Sequence, residues 1–241
     1  MDIIKMIKKI IMDIGYDSVK HRDEFVIEQL KELKAGSSLL DCGAGEQKYR
    51  KNCNHLKYTS QDFCEYDGKA TAGLDRNGKW DTSKIDIISD IINIPVDEES
   101  FDAILCTEVF EHIAKPDLAV REFSRILKNN GKLILTAPFA SYTHMAPYHF
   151  CTGFDKYWYY SILEENGFII EKIVPNGDYY TELATDIRRL PYVLKTYGHK
   201  VDVVTKILAV LFYRRLSKIK LDNSSEYRCN EYMVVARKRV L

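Results

Sequence analysis

Residues 101–139 read FDAILCTEVFEHIAKPDLAVREFSRILKNNGKLILTAPF, and this stretch decides the fold. Two apolar runs, FDAILCTE (101–108) and KLILTAPF (132–139), predict buried strands. Between them we predict a helix from about Asp117 to Lys128, for which Pro116 is a suitable start. Two strands separated by a helix indicate a parallel pair with a crossover connection.

The same alternation continues on both sides of this unit. Further strands are predicted at SSLLD (37–41), LKYTSQD (56–62), IDIISD (85–90), FIIEKIV (168–174) and CNEYMVVARKRV (229–240). Helices are predicted at 3–14, 18–34 and 161–168, with two more between 178 and 228. This alternation is typical of a doubly wound α/β domain with a mostly parallel sheet and helices on both faces. Right-handed crossovers place the ligand crevice at the carboxyl ends of the strands, so we expect the functional site there.

A glycine turn follows the first predicted strand, in LLDCGAGEQKYR (39–50). Glycine lets a ligand approach the backbone N–H groups closely, and a helix after the turn would direct more N–H groups at it. Lys48 and Gln47 stand where the motifs GxGxxG and GxGxG need glycine, so the turn does not choose between cofactors. A plain surface turn is the alternative. The residues that we assign here to cofactor binding are Asp41, Gly43, Ala44 and Gly45.

Two more carboxylates follow successive strands. Asp62 ends the second strand, where an acid can accept hydrogen bonds from two ribose hydroxyls. Asp90 ends the third strand, where it can accept a hydrogen bond from the amine of adenine while Ile91 packs on the ring. Each acid alone fits a surface position or a helix cap, but acids at three successive strand ends predict a nucleoside-binding site.

At this point the sequence resembles a known family. SDIINIPVDEESFDAILCTEVFEHIAKPDLAVREFSRILKNNGKLILTAPF (89–139) is similar to class I methyltransferases that use S-adenosylmethionine (SAM), in the branch that modifies small molecules and surface sugars. The resemblance runs from about Leu39 to Phe168 and includes the last strand. It implies SAM as cofactor and a seven-stranded sheet. It also implies a final antiparallel β-hairpin, here interrupted by a long insertion.

The resemblance also implies roles for individual residues. Asp90 maps to the acid that contacts adenine. The family's E-V-x-E-H segment maps to Glu108, Val109, Glu111 and His112, beside the cofactor and the substrate. We assign Glu108 to the cofactor site.

The whole chain, 1–241, is predicted to be one methyltransferase domain. Its predicted parts are N-terminal helices (1–35), a SAM-binding core (36–177), a helical insertion that acts as a lid or interface (178–228) and the final strand (229–241).

Histidines supply the candidate catalytic groups. Methyl transfer to a hydroxyl usually needs a base, and imidazole titrates near neutral pH. His112 follows the fourth strand, while His144 and His149 follow the fifth, so all three are expected at the carboxyl edge. Structurally hydrogen-bonded histidines are the alternative. No metal is predicted, because no carboxylate cluster is evident near His144 and His149.

An aromatic segment surrounds these histidines, APFASYTHMAPYHFCTGFDKYWYY (137–160). It predicts either aromatic walls around a sugar or another small polar acceptor, or a packed loop that covers the sheet edge.

Composition limits the remaining possibilities. Lys+Arg and Asp+Glu both number 35 in 241 residues, so no basic excess indicates a nucleic-acid partner. The six cysteines form no CxxC pair, which favours reduced core residues over a zinc site. No signal peptide or membrane span is evident, so we expect a cytoplasmic protein.

The favoured hypothesis is methyl transfer from SAM to an oxygen, or less favourably a nitrogen, of a small molecule, a nucleotide-linked sugar or a glycan. Two alternatives remain, an NAD-linked sugar-nucleotide oxidoreductase or epimerase and a catalytically silent SAM-binding scaffold. Against the NAD-linked enzyme stand the incomplete GxGxxG and the lack of a Tyr-x-x-x-Lys pair in a helical context.

The insertion contains VDVVTKILAVLFYRRLSKIKL (201–221), which predicts an amphipathic helix with a basic end. Three roles fit it: a lid or packed face over its own domain, which is the ordinary case, a homodimer contact, or a peripheral membrane contact. The apolar positions at helical spacing are Val201, Val204, Ile207, Leu208 and Leu211, and the basic ones are Arg214, Arg215, Lys218 and Lys220.

Overall fold

The computed structural model describes residues 16–74, 80–216, 218–219 and 223–240. Its helices are α1 (Ser18–Lys31), α2 (Pro116–Ile126), α3 (Lys156–Glu165), α4 (Tyr179–Thr196) and α5 (Val203–Leu216). Its strands are β1 (Ser38–Cys42), β2 (Lys57–Asp62), β3 (Ile87–Ile88), β4 (Phe101–Thr107), β5 (Leu127–Pro138), β6 (Phe168–Asn176) and β7 (Glu231–Lys238). The helix predicted at 3–14 lies outside the described residues.

The seven strands form one sheet in the order β3-β2-β1-β4-β5-β7-β6. The first five run parallel to their neighbours in the sheet. β7 is antiparallel to β5, with Val235 opposite Ile134, and β6 completes the edge beside β7. The predicted seven-stranded, mostly parallel sheet with an antiparallel hairpin is therefore confirmed.

The centre of the sheet is apolar on both faces because helices cover both sides. In β1 and β4, Leu39, Leu40, Ile104 and Leu105 are completely buried. A continuous apolar run, rather than an alternating one, is what a strand covered on both faces requires. α2 buries its apolar side chains at helical spacing and exposes its charged face, as the spacing predicted.

Three local predictions are wrong. No α-helix follows the glycine turn, since residues 43–49 form turns and Arg50–Asn52 is a single 3₁₀ turn. β3 is only two residues long, shorter than the predicted 85–90. α3 begins at Lys156 rather than at 161 because the Asp155 carboxylate caps it, accepting hydrogen bonds from the first N–H groups of the helix.

The chain divides into two compact units. The sheet unit comprises residues 20–174 and the strand from 231 onward, and the helical unit comprises, of the described residues, 16–19 and 175–230. In the helical unit, Asp178 and Thr181 form a capping box that starts α4. Ala184 of α4 packs with Tyr213 and Leu216 in a small apolar cluster.

α5 buries a different face from the one that its periodicity predicted. The side chains that it buries are Ala209, Tyr213 and Leu216. The predicted apolar face is exposed instead: Ile207 is 53% and Leu208 is 60% exposed. Among the described residues, this face is therefore not packed within its own unit, and its role as a lid, a homodimer contact or a membrane contact stays a prediction.

All six cysteines are free thiols, and four of them are buried. This agrees with the prediction of reduced core residues. Within the described ranges, every helix is too short or too polar to span a lipid bilayer.

Candidate active site

The glycine turn lies at the carboxyl end of β1. Gly43 has a φ of +67°, and its N–H donates to Oε1 of Gln61 at 3.3 Å. A β-carbon at this position would overlap the side chain of Val109, which follows β4. Glycine is therefore required both by the backbone conformation and by the close approach of Val109.

Gly45 connects the turn to the acid at the end of β2. Its N–H donates to Oδ2 of Asp62 at 2.9 Å, and Oδ1 of Asp62 accepts from the N–H of Cys64 at 2.9 Å. Asp62 is only 6% exposed, so these bonds hold its carboxylate in one orientation. The indole of Trp80 covers the turn, since a β-carbon on Gly45 would lie 2.6 Å from its Cζ2.

Asp41 lies in β1, just before the glycine turn. Its carboxylate is buried and accepts a hydrogen bond from the Tyr58 hydroxyl at 2.6 Å. Burial raises the pKa of Asp41 to about 7; the Tyr58 hydrogen bond opposes this shift and the charge of Asp62 adds to it. Asp41 is therefore buried beside the turn, and its assignment to the cofactor site stays a prediction.

The predicted adenine-contacting residues follow β3. Asp90 is exposed, and its Oδ1 accepts from the N–H of Ile92 at 3.2 Å. Ile91 is buried, with 7% of its surface exposed. Asp90 is thus available to a ligand from solvent, whereas Ile91 belongs to the core.

Glu108 lies at the carboxyl end of β4, in a network of charges. It accepts from the Thr136 hydroxyl at 2.9 Å and pairs with Arg22 at 2.6 Å, and Arg22 also pairs with Glu231 at 2.9 Å. Burial works against ionisation of Glu108, but Arg22 holds its pKa below the usual value. Burial and the charge of Glu108 raise the pKa of Glu231, so Glu231 is shifted toward its neutral form while Arg22 favours the ionised form of Glu108.

Glu111, His112 and His144, here called the Glu–His cluster, meet where the loops after β4 and β5 converge. Glu111 is 1% exposed, and its Oε1 lies 3.6 Å from Nε2 of His112 and 3.7 Å from Nε2 of His144. Burial and the charge of Glu108 raise the pKa of Glu111 to about 8. Burial lowers the pKa of His112 to about 4. Glu111 and His112 are therefore both shifted toward their neutral forms and do not form an ordinary ion pair at pH 7.

The third predicted histidine lies beside this cluster. The ring of His149 is 5.1 Å from that of His144, between centroids, and its Nε2 is 3.1 Å from the Ser141 hydroxyl. Burial lowers the pKa of His149, and His144 adds to this effect. The structure thus brings together all three predicted histidines.

Two loops meet over the edge of the sheet. In the loop after β2, the N–H of Leu74 donates to the carbonyl of Thr143, in the loop after β5, at 2.8 Å. The Phe63 and Tyr148 rings meet edge to face at 5.0 Å, and the Tyr148 hydroxyl donates to Glu65 at 3.2 Å. The loop that follows Asp62 is therefore hydrogen-bonded to the loop that bears His144 and His149.

The aromatic segment divides between the two roles that were predicted for it. Phe154, Trp158 and Tyr159 pack with Phe110 in an aromatic core. Aromatic walls around an acceptor are therefore the wrong interpretation for these three residues. The exposed aromatic residues of the segment are Tyr142, Phe150, Tyr157 and Tyr160.

Some site residues could not be assigned from local sequence. Gln61, Trp80 and Arg22 bear no motif, and each reaches the site through tertiary packing. Glu111 was placed near the substrate by the resemblance alone, and nothing in the sequence pairs it with His144. The absence of a nearby carboxylate, on which the prediction of no metal depended, is contradicted by this pairing.

Comparison with known proteins agrees with this geometry. Residues 40–135 match the family model described as a methyltransferase domain. A human protein named "Probable tRNA methyltransferase 9B" is 28% identical over 109 residues, 44% of this chain and 22% of that protein. An uncharacterized protein of Methanocaldococcus jannaschii is 30% identical over 119 residues, 47% of this chain and 48% of that protein. The chain thus spans less than half the length of either curated relative.

A solved structure shows the same fold. Phosphoethanolamine N-methyltransferase 2 of Haemonchus contortus, in complex with S-adenosyl-L-methionine, superposes with a TM-score of 0.53 at 15% identity, over 91% of this chain and 53% of that one. With the sheet order and the family match, this likeness decides the fold class. The chain therefore has the class I methyltransferase fold, and its residues 40–135 are similar to methyltransferase domains.

Proposed function

We propose that the protein transfers a methyl group from SAM to a hydroxyl oxygen of a small polar acceptor, in particular a nucleotide-linked sugar or a glycan; a nitrogen acceptor is the second choice. One observation supports this most strongly. The glycine turn and the Glu–His cluster lie at the same edge of the sheet, joined by one short segment. Val109 contacts the position of Gly43, and His112 lies three residues further along the same turn.

The cofactor side fits SAM. Gly43 and Gly45 lie so close to Val109 and Trp80 that a β-carbon would overlap those side chains, which keeps the turn at the carboxyl end of β1 tight. The carboxylate of Asp62 is held beside this turn by the Gly45 N–H, and we assign it to the ribose hydroxyls and the exposed Asp90 to the adenine amine. When bound, SAM supplies an electrophilic methyl group on a sulfonium.

The acceptor side provides proton-accepting groups. A hydroxyl must lose its proton as its oxygen attacks, and neutral imidazoles can take that proton. Burial keeps His112 neutral. His112, His144 and His149 are the residues to which we assign proton removal, and the loops after β2 and β5 exclude water around them.

The NAD-linked alternative is not retained. Dinucleotide folds bind a pyrophosphate at the N-terminus of the helix that follows their glycine turn. Here the glycine turn leads instead into turns and the 3₁₀ segment Arg50–Asn52. The domain match to methyltransferases points the same way. A silent SAM-binding scaffold remains the second candidate, since the glycine turn and Asp62 support binding regardless of turnover.

Two measurements test the proposal. Titration calorimetry should show binding of SAM and S-adenosylhomocysteine but not of NAD, and both ligands should raise the melting temperature by mass action. Transfer of labelled methyl from SAM is then measured with nucleotide-linked sugars, polysaccharide fragments and amines as acceptors. Binding without transfer to any acceptor class would favour the scaffold, and failure to bind SAM would overturn the proposal.

A further inference from the structure

The Glu–His cluster has the dimensions of a metal site. One carboxylate oxygen of Glu111 and one ring nitrogen each of His112 and His144 lie within 4.8 Å of one another. The two nitrogen-to-oxygen distances, 3.6 and 3.7 Å, are longer than normal hydrogen bonds. They are close to the spacing of about 3.3 Å between two ligands that each lie about 2.0–2.1 Å from a tetrahedral zinc ion. A few tenths of an ångström of movement would bring each histidine nitrogen to that spacing from the Glu111 oxygen.

Both histidines have the tautomer that a metal site needs. Nδ1 of His112 lies 2.5 Å from the Tyr148 carbonyl, and Nδ1 of His144 lies 2.8 Å from the Tyr142 carbonyl. A carbonyl oxygen only accepts hydrogen bonds, so each Nδ1 must bear the proton. Each Nε2 therefore has a lone pair directed toward Glu111. Metal-binding histidines typically donate their second ring N–H to a carbonyl or a carboxylate in this way.

A second, independent observation concerns Glu111 itself. Its Oε2 is buried and has no hydrogen-bond partner among the described residues. A buried carboxylate oxygen without a partner is energetically unfavourable. A cation held by both oxygens of the Glu111 carboxylate would remove that cost.

We propose that Glu111, His112 and His144 bind a divalent transition-metal ion, with zinc as the best match. Two imidazole nitrogens and one carboxylate oxygen suit zinc and its first-row neighbours, whereas magnesium prefers oxygen ligands alone. Three protein ligands leave at least one coordination position open. With a metal bound, the Nε2 lone pairs of His112 and His144 are occupied, so proton removal in the proposed function falls to His149. That the open position receives the acceptor oxygen rests on the proposed function, but the metal site itself does not.

The test uses the untagged full-length chain after dialysis against a chelator. Zn²⁺ or Co²⁺ alone is added at one equivalent, and Mg²⁺ serves as the comparison ion. Metal retained after desalting is measured by mass spectrometry, and the visible absorption of bound Co²⁺ reports its ligands. We expect one zinc or cobalt ion per chain, no retained magnesium, and a cobalt spectrum typical of nitrogen and oxygen ligands.

Variants separate this site from adventitious binding. Glu111→Gln keeps the shape of the side chain, and His144→Ala removes a half-exposed side chain from a loop. Each should lower zinc affinity by about 100-fold or more, since even outer-shell changes cost 10–100-fold. His21→Ala, an exposed histidine of α1, should leave zinc affinity unchanged. Far-UV circular dichroism confirms that each variant is folded.

The outcomes distinguish the two proposals. Equal zinc affinity in folded Glu111→Gln, His144→Ala and wild-type protein, or no retained zinc in the wild type, overturns the metal site. SAM binding is measured on the same metal-free samples. If SAM binds while zinc does not, the methyltransferase proposal stands alone. If zinc binds while SAM does not, only the metal site stands.

Discussion

The sheet unit and the helical unit differ in how far they bury their apolar side chains. The sheet unit buries its apolar residues on both faces and gathers its polar site residues at one edge. Among its described residues, the helical unit buries a small apolar cluster between α4 and α5 and exposes the apolar face of α5. This difference in burial indicates that the two units have different functions. Every residue that we place at the cofactor or metal site lies in the sheet unit, whereas the exposed face of the helical unit is suited to contact with another surface.

If this division is correct, changes at the sheet edge should alter ligand binding and leave surface association intact, and changes on α5 should do the reverse. Four variants test this division.

Asp62→Ala should have the largest effect on SAM affinity. It removes the acceptor for the Gly45 and Cys64 N–H groups and, in the proposed function, for the ribose, and charge-assisted hydrogen bonds contribute roughly 1.5–3 kcal/mol each. We expect calorimetry to show SAM binding weakened by roughly 10²-fold or more. The control is Asp67→Ala, an exposed acid in the loop after β2, which should bind SAM normally. Unchanged affinity in Asp62→Ala would remove Asp62 from the ribose role.

His149→Ala should lower turnover without affecting the cofactor. His149 is the predicted catalytic histidine outside the Glu–His cluster, so its removal leaves the proposed metal ligands in place. Loss of a proton acceptor typically lowers the rate by roughly 10²–10⁴-fold. The measurement is single-turnover methyl transfer, with SAM affinity determined on the same sample. His55→Ala, a histidine bonded to a carbonyl of α1, is the control. A normal rate in His149→Ala would exclude His149 as the base.

Asp41→Asn should change how stability depends on pH. The pKa of Asp41 is about 7 in the folded protein, raised from an unfolded value of about 3.9, because its charge is buried. Between those two values the folded state binds a proton that the unfolded state has released. The contribution of Asp41 is therefore fully present below pH 4 and is lost as the pH rises toward 7, at up to about 1.4 kcal/mol per pH unit.

The measurement is urea unfolding of wild type and Asp41→Asn at pH 5, 6 and 7. The asparagine cannot ionise and can still accept from Tyr58, so the difference in free energy of unfolding between the two proteins should change with pH in that direction. Parallel pH profiles would show that Asp41 is ionised throughout and that its environment is more polar than the buried site indicates.

Features of the fold and of the candidate site could be predicted from the sequence where the residues that determine them are adjacent in the chain. The strands, the glycine turn and the acid at the end of β2 each follow from a few adjacent residues, and the structure places them together. The Glu–His cluster was not predictable in the same way, because Glu111 and His144 meet only through the path of the loop after β5. The residues after the glycine turn form further turns rather than an α-helix, and this too could not be predicted from their sequence.

In α5 the helix was predicted correctly, but its buried face was not. Its periodicity correctly predicted a helix, but periodicity cannot say which face a neighbour covers. In the structure the buried side chains of α5 are Ala209, Tyr213 and Leu216, which lie on the opposite side of the helix from the apolar positions that the pattern indicated. The covered face of any apolar helix in an insertion is equally hard to predict, because the local sequence does not specify the surface that the helix contacts.

The smallest expected effect concerns that exposed face. α5 presents Leu208 and Leu211 to solvent and ends in Arg214 and Arg215, and apolar area next to basic residues is typical of a helix that binds an acidic lipid surface. We expect part of the protein to sediment with vesicles that contain acidic lipid at low salt, and salt to release it, since each basic residue contributes about 1 kcal/mol or less. Leu208→Glu with Leu211→Glu should reduce the sedimented fraction.

The matched control is Ile169→Glu, which places the same charge on an exposed apolar residue of β6, in the sheet unit. This variant should sediment like the wild type, and both glutamate variants should bind SAM normally. If the wild type stays in the supernatant with acidic vesicles at low salt, α5 does not bind lipid. Its face then acts as a lid over its own domain or contacts a second copy of the chain, and sedimentation equilibrium of the wild type and the double variant decides between these. If Ile169→Glu lowers sedimentation as much as the α5 variant does, the association is not specific to the helical unit, and the division of work between the two units is wrong.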